Sequence, residues 1–258
     1  GSEFKVFGSI QVYNSINNYS ENNNRKTIYC TGPFTFESYV QLFLFTDYPT
    51  WFVNSFIVAL GTVAVTLFIA VPVAYAVSRL QIRFKSAIVG TMLIAYMFPP
   101  LLLAIPLYSI FVKIGIADTL LALVISHCTI TLPLGVWLLW GFFKQLPFDL
   151  EEAAMIDGCS RFKAFLKVVL PLSLPGVVTV AIFSFLLSWT DYTFSFVMIG
   201  SDHLKTLTVG LHTMSTWYEL QWGELMAGST LIVLPLLVLF VFLSKYFIQG
   251  LASGALKG

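Results

Sequence analysis

The side chains that could do chemistry in this chain cluster in one segment, "LPFDLEEAAMIDGCSRFKAFLKVVLPLSLPG", which runs from Leu146 to Gly176. Its first half is acidic and its second half is basic, and apolar runs long enough to cross a bilayer lie on both sides. Carboxylates grouped in this way favour the N-terminus of a helix, and the cations that follow suit a membrane surface. The segment therefore indicates a short helix followed by a membrane-surface stretch rather than a reaction centre.

The sequence shows no motif for catalysis. It contains no G-x-x-x-x-G-K-[ST] loop, no Ser/His/Asp or Cys/His arrangement at a convincing spacing, and no paired carboxylate site. Cys30, Cys128 and Cys159 fall in three different regions, which suggests neither a disulfide framework nor a metal cluster. We therefore expect a chain that is not an enzyme, binds no metal and takes its energy from another chain.

Two groups of polar side chains lie within predicted membrane segments, where ionisable residues usually face a bundle interior or a water-filled cavity. Asp191 stands beside Trp189 and Tyr192, and aromatic rings next to a carboxylate suit a sugar. Alternatively, the two aromatic residues are interface anchors and Asp191 is structural. His127, in "SHCTITLP", either lines a polar cavity or hydrogen-bonds to a neighbouring helix. These four residues are the candidates for a substrate pathway.

The composition predicts the elements that must position these residues. Hydrophobic types make up 57% of the 258 residues and charged types 10%, against roughly 25% charged residues in an average soluble domain. Repeated apolar runs therefore predict an all-α, polytopic membrane bundle. The net charge of +1 does not point to nucleic acid as a partner. Five membrane helices are predicted, at about residues 51–78, 87–112, 119–143, 174–199 and 225–249.

Prolines interrupt several of the predicted spans. We expect the second span to be broken by "FPP" at Phe98–Pro100 and again by Pro106, while Pro133 and Pro235 lie inside the third and fifth spans. Such prolines are tolerated in lipid when neighbouring helices re-satisfy the freed carbonyls, and they mark places where helices kink.

Lysine and arginine predict the orientation of the spans. One set of connections carries nine of these cations, and the opposite set carries only Lys113 and Lys205. By the positive-inside rule the richer set, which includes the segment at 144–170 and the C-terminus, is cytoplasmic. The nine cations are Arg79, Arg83, Lys85, Lys144, Arg161, Lys163, Lys167, Lys245 and Lys257.

The N-terminal residues 1–33 are then an extracytoplasmic tail. Its first four residues, "GSEF", resemble a cloning scar and are expected to carry no structure, and residues 8–32 resemble a solvated, loosely ordered segment. An outside tail without a signal peptide suggests that a preceding membrane helix is missing. After the tail, "GPFTFESYVQLF" predicts a short amphipathic helix at the outer membrane surface, capped by Thr35, with an ordinary loop as the alternative.

The acidic half of the charged segment predicts a two-turn helix at 150–157. Asp149 is a good N-cap, Glu152 lies three residues later as in a capping box, and Gly158 suits a left-handed C-terminal position. Leu150, Ala153 and Ala154 share one face, where small side chains allow another surface to approach closely. On these grounds alone, an ordinary cytoplasmic loop with a capped helix remains an alternative.

The spacing in this segment resembles the EAA loop of permease subunits in binding-protein-dependent ABC importers. Glu152-Ala153-Ala154 is followed after three residues by Gly158, after nine more by Val168, and after one more by Leu170-Pro171. The family usually has Ile at the position of Val168. The resemblance implies that the short helix is a coupling helix, which docks in a cleft of an ATP-hydrolysing subunit. It assigns the coupling role to Glu152, Ala153, Ala154, Asp157, Gly158, Leu170 and Pro171.

Further stretches resemble the sugar branch of this family, and within it the second permease subunit of maltose-type transporters. "FTFESYVQLF" is similar to that branch's entry to its second helix, and "SWTDYTFSFVMI" is similar to its "SWNEF" segment, with Thr190 and Asp191 where Asn and Glu are usual. The resemblance implies the type I ABC importer permease fold over residues 34–258, with a coupling loop at 144–173. Such subunits usually have six helices, of which the first would be absent here.

The resemblance also implies the partners of the chain. It predicts a second homologous permease, two ATPase subunits that bind ATP and Mg²⁺, an extracellular substrate-binding protein and a prokaryotic plasma membrane as the location. A polyamine, phosphate or other small-solute permease is the nearest alternative, and an ion-coupled secondary transporter is a more distant one. The outer segment 200–224 either contacts the binding protein or folds over the cavity.

Overall fold

Long helices carry most of the chain, as the composition predicts. The computed structural model describes residues 3–6, 10–13, 29–30, 36–80, 83–217 and 222–255. The helices are α1 (Glu37–Phe45), α2 (Tyr48–Arg79), α3 (Lys85–Tyr96), α4 (Pro100–Ile114), α5 (Leu120–Gln145), α6 (Asp149–Ile156), α7 (Arg161–Ala164), α8 (Leu170–Leu172), α9 (Leu174–Trp189), α10 (Thr193–Met198), α11 (Leu207–Trp217) and α12 (Trp222–Ala255), with a π-helix at Phe165–Val169 and a 3-10 turn at Asp202–Leu204.

The membrane-length helices agree with the predicted all-helical bundle. Within the described residues, α2, α5 and the part of α12 at Gly223–Val241 are long and apolar enough to cross a bilayer alone. Two bent pairs, α3 with α4 and the helices of Arg161–Leu172 with α9, raise the number to as many as five if each pair is one span. This upper number equals the five spans that the sequence predicts.

The bends lie where proline prevents a continuous helix. The α3–α4 pair bends by 93°, and Pro99 between them has an extended backbone at φ −60° and ψ 127°. A residue that precedes a proline is driven out of the helical region, so "FPP" breaks the second span as predicted. The predicted second break at Pro106 is wrong, because Pro106 lies inside α4 and the helix continues past it.

The predicted fourth span is also interrupted. The sequence indicates one helix over 174–199, whereas α9 ends at Trp189 and α10 begins only at Thr193. The reason is local, because Asp191 accepts hydrogen bonds from the backbone N–H groups of Phe194 and Ser195 in the first turn of α10 and so favours a new helix start.

The N-terminal tail contains a small antiparallel sheet that the sequence did not predict. Strands β1 (Glu3–Val6), β2 (Ile10–Tyr13) and β3 (Tyr29–Cys30) pair in the order β1-β2-β3. The expectation that "GSEF" and residues 8–32 carry no regular structure is therefore wrong at the strands, where "EFKV" and "IQVY" form a hydrogen-bonded ladder. The membrane part of the chain remains all-helical.

The predicted amphipathic helix is present as α1. It begins at Glu37, and its predicted cap Thr35 lies outside the described residues. Phe36, Val40 and Phe43 are exposed, whereas Leu42 is completely buried. An exposed apolar row of this kind fits the predicted position at the outer membrane surface, which stays a prediction.

The chain divides into two compact units. The first comprises Gly1–Ser55 and Gly200–Val238, and the second comprises Phe56–Ile199 and Leu239–Gly258. In the first unit, hydrogen bonds hold the outer segment against the start of α2. Asn54 Nδ2 donates to the carbonyl oxygens of His203 at 2.9 Å and Lys205 at 3.0 Å, and Ser55 Oγ accepts from the Leu207 N–H at 2.8 Å.

The second unit packs α2, α5, α9 and the segment after α6 around one apolar core. Its buried members are Ala70, Val71, Ala74, Val136, Leu139, Phe143, Phe165, Val169 and Val180. Gly135 of α5 permits the close approach, because a Cβ there would lie 3.0 Å from Val180 Cγ1 and 3.3 Å from Thr66 Cγ2. Small residues at such crossings are how helices pack closely inside a membrane.

Gly210 packs so closely on Trp51 that a larger residue should destabilise the chain. A Cβ on Gly210 would lie 2.2 Å from the Trp51 ring, and Trp51 is buried, so the ring cannot move aside freely. We expect Gly210→Ala to destabilise the first unit by about 1–3 kcal/mol through overpacking. The measurement is the apparent Tm of the purified chain in detergent.

The matched control is Gly90→Ala, where an added Cβ meets no atom within 4 Å. This variant should melt at or slightly above the temperature of the wild type, because Ala favours a helix interior over Gly. Equal melting temperatures for both variants would contradict the packing of Gly210 on Trp51.

Candidate functional site

Helix α6 begins one residue earlier than predicted. The N–H groups of Glu151 and Glu152 both donate to the Phe148 carbonyl, at 3.0 and 3.1 Å, so Asp149 is already inside the first turn. The predicted N-cap at Asp149 and its capping box with Glu152 are therefore wrong, and Phe148 is the N-cap residue without a side-chain cap. The three carboxylates of the first turn still favour the positive end of the helix dipole.

The predicted end of α6 is confirmed. Gly158 has φ +88°, a left-handed conformation that costs glycine little. Its N–H donates to the Met155 carbonyl at 3.1 Å, and the Cys159 N–H donates to the Ala154 carbonyl at 3.0 Å. This pair of bonds is a Schellman motif, which satisfies carbonyls that the helix itself leaves free.

One face of α6 is exposed. Ile156 is 86% exposed and Leu150 is 44% exposed, although both are apolar. Glu152, Ala153 and Asp157 are exposed as well, and Ala154 is half-buried. The predicted coupling residues on α6 therefore lie on or beside a surface that is free to meet another chain.

The opposite face of α6 is held by a carboxylate that the sequence interpretation did not single out. Glu151 is 3% exposed, and its oxygens meet three side chains from two other helices. Tyr75 of α2 donates its hydroxyl to Oε1 of Glu151. Arg79 Nε lies 3.6 Å from Oε2, and Arg161 Nε lies 3.6 Å from Oε1. We call these four residues, Tyr75, Arg79, Glu151 and Arg161, the clamp.

Arg79 also holds the turn that leads into α6. The side chain is 1% exposed, and its Nη2 donates to the Leu146 carbonyl at 3.0 Å. Its guanidinium carbon lies 4.2 Å from the centroid of the Phe148 ring, a cation–π contact. The sequence interpretation counted Arg79 only as a cytoplasmic charge, because nothing in the local pattern pairs it with a residue on α6.

The other predicted coupling residues lie at the end of the basic stretch. Leu170 is half-buried and packs against the core of the second unit, whereas Pro171 is exposed. The preceding residues Phe165–Val169 form a π-helix, a form that occurs mostly as short local insertions. Ser173 Oγ donates to the Val169 carbonyl at 2.7 Å where this segment turns towards α9.

A second polar cluster lies among α2, α5 and the α9–α10 break. Asp191 accepts from the Ser195 N–H at 3.0 Å, and its Oδ2 lies 3.2 Å from His127 Nε2. His127 Nδ1 lies 2.8 Å from Ser188 Oγ, which in turn lies 3.4 Å from Thr62 Oγ1. The predicted alternative in which His127 hydrogen-bonds to a neighbouring helix is thus realised between α5 and α9.

This cluster has the residue types of a catalytic triad but not its surroundings. Ser188 is 7% exposed and lies between helices, and His127 is 3% exposed. Interhelical hydrogen bonds are the usual use of such side chains in a membrane bundle. We therefore interpret the set as a network that joins three helices at a helix break.

The two aromatic candidates, Trp189 and Tyr192, differ in solvent exposure. Trp189 is 1% exposed, and its ring stacks on Phe185 with centroids 5.4 Å apart and an interplanar angle of 14°. Tyr192 is exposed and stacks on Phe196 with centroids 5.3 Å apart. The structure thus brings His127 and Asp191 together and places Trp189 in the packed interior.

Within the described part of the chain, no group of three or more His, Cys, Asp or Glu side chains could hold a metal ion. Near His203, the Lys205 ammonium lies 2.6 Å from Asp202 Oδ1, and this hydrogen bond lowers the pKa of the Asp202 carboxyl. The Asp202 side chain is 85% exposed, so solvent screens the pair and its contribution to stability is small.

Known proteins share this arrangement of helices. The chain is similar to a crystal structure of a bacterial ABC transporter involved in the import of the acidic polysaccharide alginate, with a TM-score of 0.74, 19% sequence identity and coverage of 87% of this chain and 84% of that chain. A second structure, of the bacterial alginate ABC transporter in complex with a pentasaccharide-bound periplasmic protein, matches with a TM-score of 0.62 at 12% identity. At these identities the similarity establishes the fold.

Curated relatives are more similar in sequence to this chain than these two structures are. The chain is 34% identical to the inner membrane ABC transporter permease protein YcjP of Escherichia coli, over 87% of this chain and 81% of that protein. It is 34% identical to the trehalose transport system permease protein SugB of Mycobacterium tuberculosis and 35% identical to the trehalose/maltose transport system permease protein MalG of Thermococcus litoralis, in each case over 87% of this chain and 82% of the relative.

The family description "Binding-protein-dependent transport system inner membrane component" matches residues 67–253, a region that contains α6, the clamp, His127 and Asp191. This match and the relatives confirm that the chain resembles permeases of binding-protein-dependent ABC importers. The chain therefore belongs to the family of binding-protein-dependent transport system inner membrane components.

Proposed function

We propose that the chain is the membrane-spanning permease subunit of an ATP-driven importer for a sugar or oligosaccharide that an extracellular binding protein delivers. The observation that carries the proposal is the exposed face of α6, which presents the EAA-type residues away from the helical bundle. The relatives named for trehalose and maltose transport support a saccharide as the cargo.

The partners follow from the same proposal. Two ATPase subunits bind ATP and Mg²⁺, because this chain contains no nucleotide loop of its own, and a second homologous permease completes the membrane pathway. The excess of lysine and arginine in the α6 connection and near the C-terminus supports a cytoplasmic position for both. ATP binding draws the ATPases together, α6 moves with them, and the spans change between inward and outward openings.

The docking surface on α6 generates a specific prediction. Ile156 is 86% exposed, so Ile156→Glu should leave the fold of the chain unchanged. On the proposed function it places a charge in a desolvated interface, so it should remove the ATPase subunits from the purified complex. The measurement is the amount of ATPase that co-purifies with the tagged permease.

The matched control is Ile114→Glu, which introduces the same charge at an isoleucine that is 61% exposed at the end of α4. We expect this variant to retain the ATPase subunits. Full retention of ATPase by Ile156→Glu would exclude the exposed face of α6 as the docking surface.

The cargo is tested by uptake into proteoliposomes that contain the assembled complex, its binding protein and ATP on the ATPase side. We expect ATP-dependent accumulation of trehalose, maltose or both, which are the saccharides that the names of the two reported transport relatives specify. Uptake of spermidine or phosphate instead would change the cargo class. Uptake driven by a proton gradient without ATP would make the chain a secondary transporter.

We propose that the segment around the α9–α10 break borders the substrate pathway, with Asp191 and Tyr192 at its surface and with His127 and Trp189 supporting it from within. Tyr192 offers an exposed ring, and Asp191 next to it keeps 12% of its side chain exposed. An aromatic ring beside a carboxylate is suited to the C–H face and the hydroxyls of a sugar.

This proposal predicts that Tyr192→Ala raises the KM for uptake by about two- to tenfold, the loss of one ring contact. Tyr108→Ala is the matched control, since Tyr108 is 40% exposed on α4. The two variants are compared in the same uptake assay. An unchanged KM in Tyr192→Ala would remove this residue from the pathway.

A further inference from the structure

The clamp joins α6 to a helix that is distant from it along the chain. Tyr75 and Glu151 are separated by 76 residues, yet the tyrosine hydroxyl bonds directly to the carboxylate. Helix α5 is linked to α6 by the short connection Leu146–Phe148, whereas α2 reaches α6 only through side chains. The contacts of Tyr75 and Arg79 are therefore a direct route from α6 to α2.

We propose that Glu151 is the positioning residue that makes α6 and the adjoining end of α2 move as one body. This inference rests on the proposed coupling function and extends it by naming the span that receives the movement. The exposed face of α6 meets the ATPase, and the buried face passes the displacement to α2 through Glu151.

Burial gives the clamp its stiffness. Glu151 is 3% exposed and Arg79 is 5% exposed, so neither charge can exchange its partner for water without a large change in structure. If α6 moved without α2, the buried Arg79 guanidinium would lose its carboxylate, and Glu151 would keep only the half-exposed Arg161 as an ionic partner, which is unfavourable. The lower-energy alternative is that α2 follows α6.

Arg79 widens the connection beyond a single ion pair. It donates to the Leu146 carbonyl and lies over the Phe148 ring, so it contacts both ends of the turn between α5 and α6. Tyr75 contributes a ring as well as a hydroxyl. The centroid of that ring lies 4.4 Å from the centroid of the Phe165 ring in the segment after α6. The end of α2 thus contacts the residues before, within and after α6.

Arg161 has a different place in the clamp. Its side chain is 52% exposed and lies on α7, so water can compensate for its loss. We assign the transmission of movement to the buried members, Tyr75, Arg79 and Glu151, and only a supporting role to Arg161.

The test uses the complete complex in proteoliposomes and measures the amount of saccharide transported per ATP hydrolysed, with the saccharide that the wild type takes up from the panel above. The main variant is the double substitution Glu151→Gln with Arg79→Gln, which leaves the net charge unchanged and strands no buried charge. We expect the ATPases to co-purify as in the wild type, and transport per ATP to fall by about fivefold or more, the size of a typical coupling between sites.

A second variant keeps the proposal testable if the double variant does not assemble. Tyr75→Phe removes one hydroxyl and retains the ring, so the packing on Phe165 survives. We expect normal assembly, normal melting and a smaller decrease in transport per ATP. Lys163→Gln is the control, because Lys163 is exposed on α7 and its loss removes a charge from the same segment without altering a clamp residue.

The outcomes separate this inference from the proposed function. Wild-type transport per ATP in an assembled double variant, or in Tyr75→Phe when the double variant does not assemble, would overturn the role of the clamp and leave the importer function standing. A wild-type complex that neither binds ATPase subunits nor transports solute with ATP would overturn the proposed function and the clamp together. A role in folding alone would lower the melting temperature and the yield of the complex without changing transport per ATP.

Discussion

Every backbone polar group at membrane depth must be satisfied by the protein itself, because hydrocarbon offers no water to replace a lost hydrogen bond. This constraint explains why the chain is helical between its loops and why each interruption of a span is built from particular residues. At the α9–α10 break, Asp191 accepts from the N–H groups that start α10. At the α3–α4 break, Pro100 occupies the first position of α4, where an N–H group would have no carbonyl partner within the helix.

The same constraint decides where the few charged side chains lie. Charged residues are only 10% of the chain, and within the described residues two largely buried pairs lie where helices meet. His127 and Asp191 join α5 to the α9–α10 break, and Glu151 and Arg79 join α6 to α2. A buried charge is costly unless it is paired, so each pair fixes the relative position of two helices more strictly than apolar contacts would.

The Glu151–Arg79 pair and the His127–Asp191 pair have different roles in the proposed mechanism. In that mechanism, the exposed face of α6 meets the ATPase and the buried face meets the membrane helices through the clamp. In the bundle, the His127–Asp191 pair stabilises a break in a span, beside the exposed ring of Tyr192. An importer needs both features, because movement received at one surface must change the shape of a pathway that lies at a distance from it.

Local patterns in the sequence determined the membrane class, the approximate spans, the end of α6 at Gly158 and the family resemblance, since apolar periodicity, proline and glycine act within a few residues. They did not predict the interruption at Asp191 or the start of α6 at Asp149, because other hydrogen-bonding patterns are equally compatible with the same local residues. The strands of the tail depend on pairing between separated segments. The tertiary structure alone decided that Glu151 pairs with Arg79 and that Trp189 is buried on Phe185. Such contacts join residues whose meeting is set by helix packing, and no local spacing encodes which of several similar carboxylates or rings will turn inward.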